Sequence, residues 1–182
     1  ISPAHHYPTG IVTPAGKRYQ LLHWALGKES RYIIEDDFDS EFRMTGKPVP
    51  TLQSIDVAEK VIYMNTFSKS LTSTIRISYM ILPTHLANIY YEKLGFYTCP
   101  VSTFEQYTLA EFIQQGYFER HINRMRTYYK NLRNQLLNEI KSSPLASQIK
   151  ISEEHAGLHF LMKLDTTLSD EEIIKKAKEQ NI

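Results

Sequence analysis

The sequence is poor in the features that would set it apart from an ordinary soluble protein. It has one cysteine, Cys99, which cannot form an internal disulfide and fits a reduced compartment. No apolar run approaches the roughly 18 residues of a membrane-crossing helix, so a cytoplasmic setting without membrane contact is the expectation. Charge of one sign is not in excess, because 21 Lys+Arg against 20 Asp+Glu leave a net +1. Nucleic acid or anionic lipid would therefore need a local patch. The seven histidines and Cys99 show no metal-ligand spacing, and no repeat or low-complexity tract is present. What remains is 182 residues at 42% hydrophobic and 23% charged, enough to bury the core of one domain or slightly more. The chain opens on Ile1, and Lys178-Glu179-Gln180-Asn181-Ile182 ends inside a helical pattern with no stop signal. It reads as a piece of something longer.

Ile1 to Pro3 reads as the tail of a strand, followed by a His5-His6-Tyr7-Pro8-Thr9-Gly10 loop. Thr13 as N-cap and Pro14 at the first position open a helix with an apolar stripe of Leu21, Leu22, Ala25 and Leu26, stopped by Gly27. Strands are expected at Arg31 to Ile34, Val61 to Thr66 and Arg76 to Leu82, with a loop at Gly46-Lys47-Pro48-Val49-Pro50. Helices are expected at Thr84 to Leu94 and Thr103 to Gln115. After Gly116 comes a long helix whose Phe118, Ile122, Met125, Tyr129, Leu132 and Leu136 share one side. Two further strands, Gln148 to Ile151 and Leu158 to Leu164, precede a helix opened by a Ser169/Glu172 capping box. Strands and helices alternating in the first half predict an α/β fold, a mostly parallel sheet with helices on both faces. Residues 1–116 would form part of this large domain, 117–143 a long interdomain helix, and 144–182 the start of a smaller α+β domain.

Chemistry concentrates at two strand ends. Thr66-Phe67-Ser68-Lys69-Ser70-Leu71 places a lysine among three hydroxyls where a buried strand stops, the edge at which open α/β sheets bind ligands. A desolvated lysine there can attack a carbonyl, the hydroxyls suit a phosphate, and Arg76 can grip that phosphate with two N–H groups. Alone, Lys69 also reads as a surface lysine in a Ser/Thr-rich turn. Glu35-Asp36-Asp37-Phe38-Asp39 adds four carboxylates in five residues at the end of a neighbouring strand. Pyridoxal phosphate needs a lysine for its aldehyde and an acid, here Asp36, to keep its pyridine nitrogen protonated. A calcium loop is excluded, because Asp37-Phe38-Asp39-Ser40-Glu41 lacks the glycine at the sixth position and Pro48 stands in place of the closing glutamate. A Ser-Lys hydrolase at Ser68 and Lys69 lacks oxyanion-hole glycines. Arg120, His121, Arg124, Arg126, Lys130 and Arg133 scatter over more than one face of the long helix and read as a solvated surface. His155 and His159 flank Gly157 in a strand-like stretch and read as structural.

Together with the opening loop, the segments Glu35-Asp36-Asp37-Phe38-Asp39-Ser40-Glu41-Phe42-Arg43, Pro50-Thr51-Leu52-Gln53-Ser54, Val61 through Leu71 and Arg76-Ile77-Ser78-Tyr79-Met80 resemble the aminotransferase-like domain of MocR/GabR-type transcriptional regulators of the GntR superfamily. Glu119-Arg120-His121-Ile122-Asn123-Arg124-Met125-Arg126 and Ala156-Gly157-Leu158-His159-Phe160 extend the resemblance over nearly the whole chain. It implies a fold type I body holding pyridoxal 5'-phosphate as an internal aldimine on Lys69. Asp36 would partner the pyridine nitrogen, with Thr66, Ser68 and Arg76 at the phosphate. Tyr7 takes the place of an asparagine that contacts the phenolic oxygen in aminotransferases. Phe38 departs from a usual tyrosine and Asn65 from a usual glycine.

The resemblance further implies a homodimer that senses the cofactor, an amine or an amino acid. DNA would be bound only through a winged helix absent from this chain. The alternatives are an active aminotransferase and a degenerate dimerisation module.

Overall fold

The computed structural model describes residues 1–44, 49–155 and 157–181. Residues 46–48 of the expected Gly46 to Pro50 loop, residue 156 of the Ala156 to Phe160 motif and the final residue lie outside them.

Three strands form the first sheet, β1 (Ile33–Asp36), β2 (Val61–Thr66) and β3 (Ser78–Ile81), in the order β1-β2-β3. β1 runs parallel to β2, with Ile33 opposite Val61 and Asp36 opposite Met64. β3 returns antiparallel, with Thr66 opposite Ser78, so among the described strands the sheet is mixed. Only a nine-residue turn segment (67–75) separates Thr66 from Arg76, and a parallel crossover needs a dozen or more residues. β1 lies two residues further along than hydropathy predicts. Pairing with β2 carries Glu35 and Asp36 into the ladder, beyond the apolar residues that mark a strand in sequence. Ile1 pairs alongside without forming a strand, its ammonium donating to the Ile34 carbonyl at 2.8 Å and its carbonyl accepting from Asp36 N–H at 2.8 Å.

Helix α1 (Ala15–Leu26) covers one face of this sheet. Leu21 and Leu22 pack against the buried cluster of Ala25, Ile33, Leu52 and Val61, whereas Leu26 is exposed. The Thr13 hydroxyl does not cap the helix. It lies 2.9 Å from His6 Nε2, and Pro14 takes the cap position without a side-chain bond. Arg18 is the buried member that the apolar stripe omits. Its guanidinium donates to the carbonyls of Thr13 (2.9 Å), Pro50 (2.6 Å) and Pro3 (2.6 Å). One side chain thus ties both ends of the Tyr7 loop to the segment after the acidic run.

The short helix α2 (Phe67–Ser70) follows β2 directly. Helices α3 (Thr84–Leu94), α4 (Thr103–Gln114) and α5 (Tyr117–Ser142) come next. Gly116, at φ +70°, supplies the left-handed residue between α4 and α5. α5 braces both site-bearing segments. Phe118 meets Phe67 edge-on at 5.7 Å, and His121 Nε2 donates to the Ser70 carbonyl at 3.1 Å. Further along, Arg126 Nε donates to the Glu41 carbonyl at 3.0 Å and Tyr129 packs on Phe42 at 5.5 Å. Leu132 and Leu136, at the far end of the predicted stripe, are exposed.

A second sheet pairs β4 (Ile149–Ser152) with β5 (Leu161–Leu164) in antiparallel register. β5 starts three residues later than predicted. Helix α6 (Asp170–Glu179) opens with the expected capping box between Ser169 and Glu172.

Candidate functional site

The parallel pairing of β1 and β2 places their carboxyl ends side by side, which brings the acidic run next to the lysine turn. Strand alternation then sorts the side chains. Ile33, Glu35, Tyr63 and Asn65 face inward and are buried, whereas Ile34, Asp36 and Met64 face the open side.

The four carboxylates meet different fates. Glu35 is fully buried and accepts the N–H groups of Leu52 at 2.8 Å and Gln53 at 2.9 Å. Burial pushes its carboxyl above the usual range, against the pull of those two donors. Asp37 Oδ2 accepts from Tyr63 Oη and Ser40 Oγ, both at 2.8 Å. Asp39 Oδ2 accepts from His5 Nδ1 at 2.8 Å and Leu158 N–H at 3.3 Å. Asp36 is exposed, and its carboxylate has no hydrogen-bond partner among the described residues. Of the acids predicted to share this strand end, it alone is available to a ligand.

Across from it, Thr66 caps α2 by accepting Ser68 N–H at 3.2 Å. Thr66 Oγ1 lies 3.2 Å from Ser68 Oγ, which donates to the Ile75 carbonyl at 2.8 Å and accepts from Arg76 Nη1 at 3.3 Å. Two hydroxyls and a guanidinium therefore gather beside Lys69, which is exposed and makes no side-chain bond among the described residues. The third hydroxyl of the motif does not join them, because Ser70 turns inward and is buried. Tyr7 is 76% exposed on the opening loop, and Phe38 is half-buried two residues beyond Asp36.

Asn65 acquires a reading the sequence did not supply. Its Nδ2 lies 3.1 Å from Tyr63 Oη and 3.3 Å from Glu41 Oε1. Since Tyr63 in turn donates to Asp37, a buried chain of polar groups joins the acidic run to the strand that carries the lysine turn. Burial and the bond to Asp37 hold the Tyr63 hydroxyl far above its usual pKa, so it stays a donor.

A second cluster escaped sequence reasoning altogether. His5, Asp39 and His159 bring one potential ligand atom each within 4.8 Å of one another, although His159 reads as structural and the histidine spacing carries no signal. The three are separated by 34 and 120 residues, so only the fold assembles them. The His5 Nδ1 to Asp39 Oδ2 pair is closed by its own hydrogen bond, and His5 and His159 stack with ring centroids 4.1 Å apart. That arrangement is a packed pair of rings rather than a convergent metal shell.

This fold and strand-end site define a protein of the aminotransferase type, and the chain belongs to the aminotransferase class I and II family, whose model matches residues 5–182. Kynurenine aminotransferase of Pyrococcus horikoshii, solved with PMP, superposes with a TM-score of 0.82 at 24% identity, over 98% of this chain and 44% of that one. The HTH-type transcriptional regulator YdeL of Bacillus subtilis (strain 168) is 43% identical over 182 residues, all of this chain and 39% of the regulator. The probable rhizopine catabolism regulatory protein MocR of Rhizobium meliloti is 33% identical over 183 residues, 36% of its length. The chain thus spans well under half the length of these relatives.

Proposed function

We propose that this chain is the pyridoxal phosphate-binding effector part of a bacterial transcriptional regulator, with the cofactor linked to Lys69. The observation that carries the reading is the placement of Asp36. It is the one unengaged carboxylate of its run, at the end of the strand that lies parallel to the one leading into Lys69. The donor set fits the group in its other parts as well. Arg76, Ser68 and Thr66 cluster as a phosphate grip would require, and the Lys69 amine is accessible. When bound, pyridoxal phosphate supplies an aldehyde for an amine and a ring that withdraws electrons. Lys69 Nζ would hold the group at that aldehyde, and the Asp36 carboxylate would keep a proton on the ring nitrogen through a charge-assisted hydrogen bond. The Tyr7 hydroxyl would serve the phenolic oxygen, while Phe38 offers a ring without a donor.

Likeness to YdeL and MocR supports a regulator over an enzyme. On this reading the full-length protein is a homodimer and senses an amine or amino acid that displaces Lys69. DNA is bound through a winged helix outside this chain. Residues 1–116 belong to the cofactor domain, 117–143 to the interdomain helix and 144–182 to the small domain. Borohydride reduction of the full-length protein with cofactor, followed by peptide mass spectrometry, should find the adduct on Lys69, and Lys69→Ala should abolish it. An adduct on another lysine refutes the assignment. A working aminotransferase is the second reading, favoured by the fold shared with kynurenine aminotransferase. Stoichiometric amino-group transfer to a keto acid by the full-length protein would select it.

A further inference from the structure

Tyr7 is exposed, yet one ring holds it. Among the described residues the only aromatic ring packed against it is His159, which meets it edge-on with centroids 5.6 Å apart. His159 in turn stacks on His5 at 4.1 Å with the planes tilted by 40°. His5 is 2% exposed, and its Nδ1 donates to Asp39, also 2% exposed. Asp39 closes the row by accepting Leu158 N–H. The backbone at Gly157 seals it from one side. A Cβ there would stand 1.9 Å from His5 Nδ1 and 2.6 Å from Asp39 Oδ2, and the residue sits at φ +67°, so only glycine allows this approach. The members come from three distant segments: the opening loop, the turn after β1 and the stretch before β5.

We propose that His159 is a positioning residue, one that fixes the Tyr7 hydroxyl at the phenolic oxygen of the cofactor with the buried His5–Asp39 pair as its rigid backing. The proposal rests on the cofactor reading above. Its physical basis is that an exposed tyrosine ring otherwise turns freely about two torsions, and an edge-on contact with an anchored ring removes most of that freedom. His159 can serve as such a ring because burial, with His5 beside it, keeps its imidazole below the ordinary range and so uncharged at neutral pH. Its Nε2 is buried without a partner among the described residues. Phe38 has no hydroxyl, so Tyr7 holds the phenolic donor that the acidic run lacks.

The test is a visible-absorbance pH titration of the full-length protein loaded with pyridoxal phosphate. Tyr7→Phe removes a donor to the phenolic oxygen, whose negative charge then holds the proton on Lys69 Nζ more firmly. The midpoint should rise by about one pKa unit, a tenfold change. His159→Ala should reproduce most of that rise, and the double variant should add nothing to it. His159→Phe, which keeps a ring, should return the midpoint to the wild-type value. Should His159→Ala fail to fold, His159→Leu fills the same space without a ring and serves in its place. A silent Tyr7→Phe, a silent ring-less variant or additive shifts would overturn the proposal while the Lys69 adduct stands. Absence of both the visible band and the adduct in wild type would overturn the cofactor reading and the proposal with it.

Discussion

Three neighbouring aspartates should respond to alanine in opposite ways. Asp36 is exposed and without a partner among the described residues, so Asp36→Ala removes no internal bond and should leave the stability of the cofactor-free protein within about 0.5 kcal/mol of wild type. On the proposed reading it removes a charge-assisted bond to the cofactor worth about 1.5 to 3 kcal/mol, so affinity should fall roughly ten- to hundredfold. Asp37→Ala strands two donors, Tyr63 Oη and Ser40 Oγ, which sit 2.8 Å from the same oxygen. At about 1 to 3 kcal/mol for each donor left unsatisfied, the cost is about 2 to 6 kcal/mol, toward the lower end because Ser40 is only half-buried. Asp39→Ala similarly strands His5 and Leu158 N–H. The assay pairs thermal unfolding of the cofactor-free full-length protein with cofactor titration by absorbance. The reasoning fails if Asp36→Ala lowers the melting midpoint without weakening retention. It fails equally if Asp37→Ala weakens retention while leaving the midpoint untouched, because Asp37 would then be the cofactor's partner.

Arg18→Ala should destabilise the fold by about 3 to 5 kcal/mol, since the carbonyls of Pro3, Thr13 and Pro50 lose their donor; Arg18→Lys should recover little in a denaturant melt, because the three carbonyls are met by three separate nitrogens of the planar guanidinium and an ammonium offers all its donors from one. Burial holds the Glu41 carboxyl above its ordinary 4.5, so its contribution to stability is present below that pH and is lost as pH rises through the raised value. Glu41→Gln should therefore gain in melting midpoint relative to wild type as pH increases, and a constant difference would refute the burial argument. Phe38→Tyr adds a donor near the phenolic oxygen and should lower the midpoint of the Lys69-linked absorbance band. If the band titrates unchanged, Phe38 serves only as a packing ring.

Sequence reading succeeded where a signal is local. β2 and α3 have the predicted bounds, the first because Val61 to Met64 form an uninterrupted apolar run after the polar Lys60 and the second because Pro83 and Gly95 punctuate it. It failed where a long-range partner decides. β1 slides into the acidic run because the parallel ladder with β2 supplies bonds that hydropathy does not register. The Thr13 hydroxyl goes to His6 rather than to the helix. Arg18 looks solvent-facing until three loop carbonyls converge on it. The site divides along the same line. Asp36, Thr66, Ser68, Lys69 and Arg76 lie at strand ends whose position in an α/β sheet is itself predictive. The His5–Asp39–His159 cluster has no spacing to read, since its members meet only after the stretch before β5 folds back onto the opening loop. Asn65 gave no signal beyond being unusual, because its partners Tyr63 and Glu41 face it from the same strand and from the turn after β1.

The distribution of burial gives this division a physical sense. Groups that would touch a ligand, namely Asp36, Lys69, Arg76 and Tyr7, are exposed, and two of them adjoin buried polar residues in the chain, Asp36 next to Glu35 and Asp37, Lys69 next to Ser70. Asp36 stands between Glu35 and Asp37, whose carboxylates are consumed by backbone N–H groups and by Tyr63. Lys69 is followed by Ser70, whose carbonyl takes a bond from His121 on α5. Tyr7 is backed by His159 and, behind it, His5. An exposed side chain keeps its rotamer freedom, but the Cα that carries it is fixed by what its neighbours have bonded. Four carboxylates packed into five residues are therefore not redundant. Three hold the strand end in place through their bonds, and on the proposed reading the fourth presents its charge at a defined point. A single substitution among the three should move that point, whereas a substitution of the fourth should empty it.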